Sequence, residues 1–169
     1  RGADLTIPAG GVGTFLLPRR MGPLDQSSLR RDAYRVRTNL PVVVYQFSPY
    51  CCNYSFSNDA SLLLPTTALG LRYRFLGVPF HSTNPFTDEG APGMITVVSP
   101  SDRNRVTVTL PPGANIELDG NGAINVQGGQ AEVRMNAQDV LVLTGSNRPQ
   151  PSDLTGAVVT STKPVSVFS

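Results

Sequence analysis

In Tyr34-Arg35-Val36-Arg37-Thr38 apolar and polar side chains alternate one for one. The same rhythm returns in Val106-Thr107-Val108-Thr109-Leu110, Ile116-Glu117-Leu118, Ile124-Asn125-Val126 and Val133-Arg134-Met135. A period of two places every second side chain on one face of an extended backbone, so each run can bury one face and wet the other. No segment carries a convincing 3.6-residue period, and this constrains the chain to half-buried antiparallel strands. Three further runs are almost wholly apolar: Val42-Val43-Val44-Tyr45, Ile95-Thr96-Val97-Val98 and Val140-Leu141-Val142-Leu143. Short and β-branched, they are expected as central strands buried on both faces.

The punctuation between the runs agrees. With 16 Gly and 15 Pro in 169 residues the chain is rich in turn formers, while 40% hydrophobic content in short clusters argues against disorder. Asp119-Gly120-Asn121-Gly122 reads as a tight hairpin, because Gly and Asn tolerate positive φ. Pro111-Pro112-Gly113, Gly128-Gly129 and Ala91-Pro92-Gly93 mark other turns. At most, Asn58-Asp59 caps one helical turn leading into Leu62-Leu63-Leu64, which Pro65 stops. The fold class expected is all-β, an antiparallel sandwich-like domain with at least about 40% strand and under about 10% helix.

An internal duplication is also legible. Tyr34 to Tyr45 matches Ala157 to Phe168 as strand, polar turn and Pro-Val-x-Val-aromatic strand, at a constant offset of 123 residues (164 − 41). Upstream, Asp4 to Leu17 resembles Glu132 to Leu143, each an alternating strand followed by an apolar one. Residues 1–47 therefore read as the closing half of one β repeat and residues 48–169 as a second, together one all-β unit excised from a larger protein. Val42, Val44, Val165 and Val167 are then expected to share one side-chain environment.

Several chemistries fail on inventory. A serine hydrolase needs a base, and His81, in the loop-like Pro79-Phe80-His81-Ser82-Thr83, is the single histidine; no Gly-x-Ser-x-Gly elbow occurs. One His beside the adjacent Cys51 and Cys52 does not supply a zinc set. Gly10-Gly11-Val12-Gly13 lacks the Lys-Ser/Thr of a phosphate loop. Asp119-Gly120-Asn121 opens like a calcium loop, but no later acid completes it. A hydrolase using a carboxylate pair would draw on Asp4, Asp25, Asp32, Asp102, Asp119 or Asp153, which sit mostly where turns begin. No cofactor is expected. The net charge of +2 is too small to argue for nucleic acid. Arginines outnumber the lone Lys163 but scatter along solvent-facing strand positions, so they read as composition rather than as a phosphate or carboxylate site. No apolar stretch approaches the roughly 18 residues of a membrane span. Asp59 to Pro65 reads as a core-packing segment rather than a partner-binding ridge, and Asn53-Tyr54-Ser55 spells a glycosylation sequon.

Pro41 to Pro49, Cys51 to Pro65 and Ala68 to Tyr73, with the closing Asp153 to Ala157 and Ser161 to Phe168, resemble the N-terminal domain of the IgG Fc-binding protein family. The double cysteine and the arginine usage look like its bacterial members. The resemblance runs along nearly the whole chain and is most specific from Pro41 to Tyr73. It implies a non-catalytic recognition or adhesion module, secreted or at the cell surface, that binds a protein or glycan partner. An architectural spacer domain is the alternative, and the carboxylate hydrolase a remote one. No catalytic or partner-binding residue transfers with the resemblance.

In the extracellular setting so implied, an even cysteine count signals pairing, and Cys51 and Cys52 have only each other. Their Cα atoms lie about 3.8 Å apart across a trans peptide, below the usual disulfide range, so the bond would close a small strained ring on a turn. Two free thiols are the alternative. Alkylation of the oxidatively purified, unfolded chain without reductant distinguishes them by intact mass. The vicinal disulfide predicts no added alkyl group, and two added groups contradict it.

Overall fold

An alternating run becomes a strand only where a second backbone pairs with it, and this chain shows both outcomes. The computed structural model describes residues 4–17, 25–48, 59–82, 90–147 and 151–169. The strands among these residues are β1 (Ser28–Arg30), β2 (Tyr45–Ser48), β3 (Asp59–Leu62), β4 (Gly70–Arg74), β5 (Phe80–Ser82), β6 (Gly90–Pro92) and β7 (Met94–Ser99). They continue with β8 (Asn104–Thr109), β9 (Ile116–Glu117), β10 (Asn125–Gln127), β11 (Gln130–Met135), β12 (Asp139–Gly145) and β13 (Val158–Phe168). One 3-10 turn, Thr66–Ala68, follows Pro65. With 44% strand and 2% helix the chain is all-β, as the alternation predicts.

Nine strands form one antiparallel sheet that curls back on itself, and β13 makes the curl. Its first half pairs with β8 on one side (Val158↔Thr109 to Ser161↔Val106) and with β4 on the other (Val158↔Arg74 to Thr160↔Arg72). Its last residues pair instead with β7, from Ser166↔Val98 to Phe168↔Thr96. One wing therefore runs β4-β13-β8-β11-β10 and the other β1-β12-β7-β13, with β9 on β12. The wings bury Val106, Val108, Val133, Met135 and Val159 against Ile95, Val97, Leu141, Leu143 and Val165, all at most 2% exposed. Each such side chain contributes about 1.5–3 kcal/mol by leaving water. β2–β3 and β5–β6 are separate two-stranded pairs.

The register of β13 shifts between Thr160 and Val165, where the strand leaves β8 for β7. Pro164 has no N–H there, and the backbone of Lys163 falls out of the ladder. Asn104, fully buried at the head of β8, takes the place of a strand neighbour. Its Oδ1 accepts from Lys163 N–H at 2.9 Å and from the Thr162 hydroxyl at 3.1 Å, and its Nδ2 donates to Lys163 O at 3.0 Å and to Ser99 Oγ at 3.3 Å. On the β4 side the Tyr73 hydroxyl accepts from Gly70 N–H at 2.6 Å and donates to Val165 O at 2.7 Å.

Several expectations change. Residues 34–38 and 42–44 form no strand. Val42 and Val43 are 51% and 71% exposed and Tyr45 lies on the exposed β2, so this run is not a central strand. Val165 is fully buried, so Val42 does not share its environment; Val44 and Val167 are both partly buried. The physical reason is that spelling sets which face is apolar, whereas burial needs a second layer. β7 and β12 are central in their wing, but neither is buried on both faces: Met94, Thr96 and Val98 of β7 and Val140 and Val142 of β12 stay partly exposed. Gly120 and Gly122 have positive φ, yet the turn joins no hairpin: β9 pairs with β12, and β10 with β11. Gly128 and Gly129, both at positive φ, close β10 on β11 as a two-residue loop whose twist suits the strands. Ala91 and Pro92 belong to β6 rather than to a turn, and Asp59 begins β3 rather than a helical turn. Leu62 and Leu64 are more than half exposed, so the Asp59–Pro65 segment is not core.

Asn104→Ala should lower stability by about 1–3 kcal/mol, because it hollows a fully buried site and leaves the partly buried N–H and C=O of Lys163 without their partner. Urea unfolding checks this; a change under about 0.5 kcal/mol, the size of an ordinary surface substitution, would contradict it.

Candidate functional site

The same period of two that fills the core decorates the opposite face of the β4-β13-β8-β11-β10 wing. Register places Arg72, Thr160, Thr107, Glu132 and Asn125 in one row across it, and Arg74, Val158, Thr109, Gln130 and Gln127 in the next. A third row sets Arg105 of β8 directly opposite Arg134 of β11. At about 4.8 Å per strand step the face is roughly 19 Å wide. It carries four guanidinium groups and one carboxylate in these rows, all exposed.

Arg105 and Arg134 face each other as like charges, an arrangement that costs some stability where nothing neutralises it. Among the described residues none of the four arginines lies within ion-pair reach of a carboxylate; the ion pair of Arg30 with Asp32, at 2.7 Å, sits elsewhere. Along this wing Asn125, Gln127, Gln130 and Glu132 line a shallow polar groove. An adjoining open groove of about 500 Å³ is lined by Leu29, Ala123, Asn125, Val133 and the charged Arg105, Glu132 and Arg134. The arrangement offers bidentate donors and amide groups on a rigid ladder, which suits recognition of carboxylate-rich surfaces.

The residues singled out by spelling have other roles. Asp102 Oδ1 accepts from Ala137 N–H at 3.0 Å, and Asp119 Oδ1 from Asn121 N–H at 3.0 Å. Asp153 accepts from Thr155 N–H at 2.8 Å. Each carboxylate ties a turn. His81 lies on β5, paired with Ala91, rather than in a loop. Glu117 accepts from the Ser146 hydroxyl beneath the end of β12, where Ser27 Oγ accepts from Thr144 N–H at 2.9 Å; this cluster docks β1 on the wing. No three His, Cys, Asp or Glu side chains gather as metal ligands among the described residues. No helix among them is long and apolar enough to cross a membrane. Cys51, Cys52 and Asn53-Tyr54-Ser55 lie outside the described residues. Sequence reasoning treated the arginines as scattered. The usable signal was their phase, Arg72-x-Arg74 and the polar positions of two alternating runs, but the pairing of β8 with β11 was needed to join them.

The strands and their registers thus give an all-β scaffold with one exposed, charge-bearing sheet face. The family model described as IgGFc binding protein matches residues 59–169, and the chain belongs to that family. The match begins at Asp59, so it includes the later part of the Pro41 to Tyr73 stretch, and Pro41 to Asn58 lie outside it. No curated protein and no solved structure matches the chain.

The backbone N–H of Thr155, then its side chain, hold the carboxyl of Asp153 below its ordinary value of 3.8. A depressed carboxyl contributes stability above the unfolded-state value and loses it as pH falls through the folded-state value. Asp153→Asn should therefore melt below the parent chain at pH 5–7 and converge with it once acid protonates Asp153 in the folded chain as well. Thermal melts across that range check this, and a gap that persists unchanged into acid would contradict it.

Proposed function

We propose that this chain is a non-catalytic recognition module, working in the secreted or cell-surface space, that binds an acidic face of a protein partner through the arginine-bearing wing. The observation that carries this reading is the convergence of Arg72, Arg74, Arg105 and Arg134, from three strands distant in sequence, onto one exposed face without carboxylate partners among the described residues. Membership of a family described as IgGFc binding protein supports a protein partner. A spacer domain would have no need to hold like charges directly opposite each other, a placement that weakens the sheet.

Arrays of extracellular proteins, immunoglobulin Fc included, and of glycans, probed with the chain at low and high salt, test the reading. Binding to protein targets should weaken as salt rises. Arg105→Glu with Arg134→Glu should lower affinity by about tenfold or more without lowering the melting temperature. Binding confined to glycans, or binding to proteins that survives the double reversal, would overturn it.

A further inference from the structure

The wing that carries the arginines ends in two edge strands, β4 on one side and β10 on the other. β10 is three residues long and bears no charge, whereas β4 runs five residues, Gly70–Arg74, without a proline. The backbone groups of an antiparallel strand turn alternately to one side and to the other. Phe75 N–H donates to Ala157 O at 2.8 Å, Gly156 N–H to Phe75 O at 2.9 Å, and the Ser161 hydroxyl to Leu71 O at 3.4 Å. The backbone of Leu71, Tyr73 and Phe75 therefore turns toward β13, and that of Arg72 and Arg74 turns away from it. Among the described residues neither the N–H nor the C=O of these two arginines has a partner.

The side chains define what fits this edge. Arg72 and Arg74 stand exposed on the outer face, so each outward backbone pair comes with a guanidinium group. On the inner face of the same strand Tyr73 packs against the core, while Leu71 at the rim is 49% exposed. A strand laid along the edge would exchange backbone bonds with Arg72 and with Arg74, and the two residues that did so would face the guanidinium groups. The residue between them would fall on the inner face, beside Leu71 and Tyr73. The edge is thus complementary to an extended acid–apolar–acid sequence.

We propose that β4 is a strand-addition site whose occupant is an extended acidic segment of a protein partner, with Asp or Glu opposite Arg72 and Arg74 and an apolar residue between them. The inference rests on the reading of the arginine wing as a partner-binding face and adds the mode of binding. Charge selects this occupant over a second copy of the chain. β4 paired with β4 sets arginine opposite arginine, and β10, with Asn125, Val126 and Gln127, offers no carboxylate. Backbone bonds hold the segment, and the spacing of its acids selects it.

The test uses the isotope-labelled chain 1–169 and the peptide acetyl-Val-Glu-Val-Glu-Val-amide, titrated to about 5 mM and followed by NMR. The amides of Arg72 and Arg74 should exchange fast in the free chain and about threefold slower or more with saturating peptide, while those of Tyr73 and Val159 stay slow throughout. N-methylation of both Glu residues removes the donors that face β4 and should abolish binding. N-methylation of the central Val, whose N–H faces away, should leave affinity within about twofold. Arg72→Gln with Arg74→Gln should weaken binding about tenfold and leave the slow exchange of Val159 unchanged. Absence of any titration, or equal binding of the two N-methylated peptides, would overturn the inference. Binding that perturbs Arg105 and Arg134 but leaves the amides of Arg72 and Arg74 fast overturns it too, yet leaves the wing standing as a binding face. A chain that sediments as a dimer with both amides already protected is equally fatal, since a second copy then occupies the edge.

Discussion

The fold hangs on the crossing of β13 from one wing to the other, and the crossing hangs on the side chain of Asn104. A strand that leaves one neighbour for another must pass through a stretch where its backbone groups face no ladder, and buried amides without partners are costly. Here the stretch includes Pro164, which brings no donor, and Lys163, which has both a donor and an acceptor to satisfy. The amide head of Asn104 presents both complements in one plane, 2.9 Å from Lys163 N–H and 3.0 Å from Lys163 O. Ser99 and Thr162 complete its bonding, and Tyr73 secures the carbonyl of Val165, two residues on. Every partner is local to the crossing.

The crossing in turn shapes the exposed face. With β13 shared, β4 can pair on its outer side and extend the wing beyond the core, which brings Arg72 and Arg74 into the face that already holds Arg105 and Arg134. The inward residues of the same strands fix the registers: Val106, Val108, Val133 and Val159 sit at positions that a one-residue slip would turn to solvent. Core packing therefore sets where the arginines stand. A rigid face of this kind would lose little conformational freedom on meeting a partner.

The strand content and the alternation of faces were legible in the sequence, since both depend on local pattern alone. Val106 to Leu110 and Val133 to Met135 read correctly for that reason, and Gly128-Gly129 marks its loop by backbone freedom. Pairing was not legible. Val42 to Tyr45 is spelled like a buried strand, but burial is a property of two segments, and no second layer covers Val42 or Val43. Asp119 to Gly122 is spelled like a hairpin, but β10 finds its partner across the shorter Gly128-Gly129 loop and β9 finds its own in β12. The arginine face escaped for the same reason, because Arg105 and Arg134 are neighbours only through the β8–β11 register. Nothing in Asp102-Arg103-Asn104-Arg105 announces that the Asn104 side chain is buried.

The exchange of one backbone proton tests the role of Asn104 most directly. If Asn104 carries the crossing, the amide of Lys163 belongs to the stable core, and residue-resolved hydrogen exchange by NMR will find it as slow as Val159, within about tenfold. Exchange of Lys163 at the rate of the exposed turn at Gly120 and Asn121, with Val159 still protected, would contradict that role: β13 would then be two strands joined by an open loop.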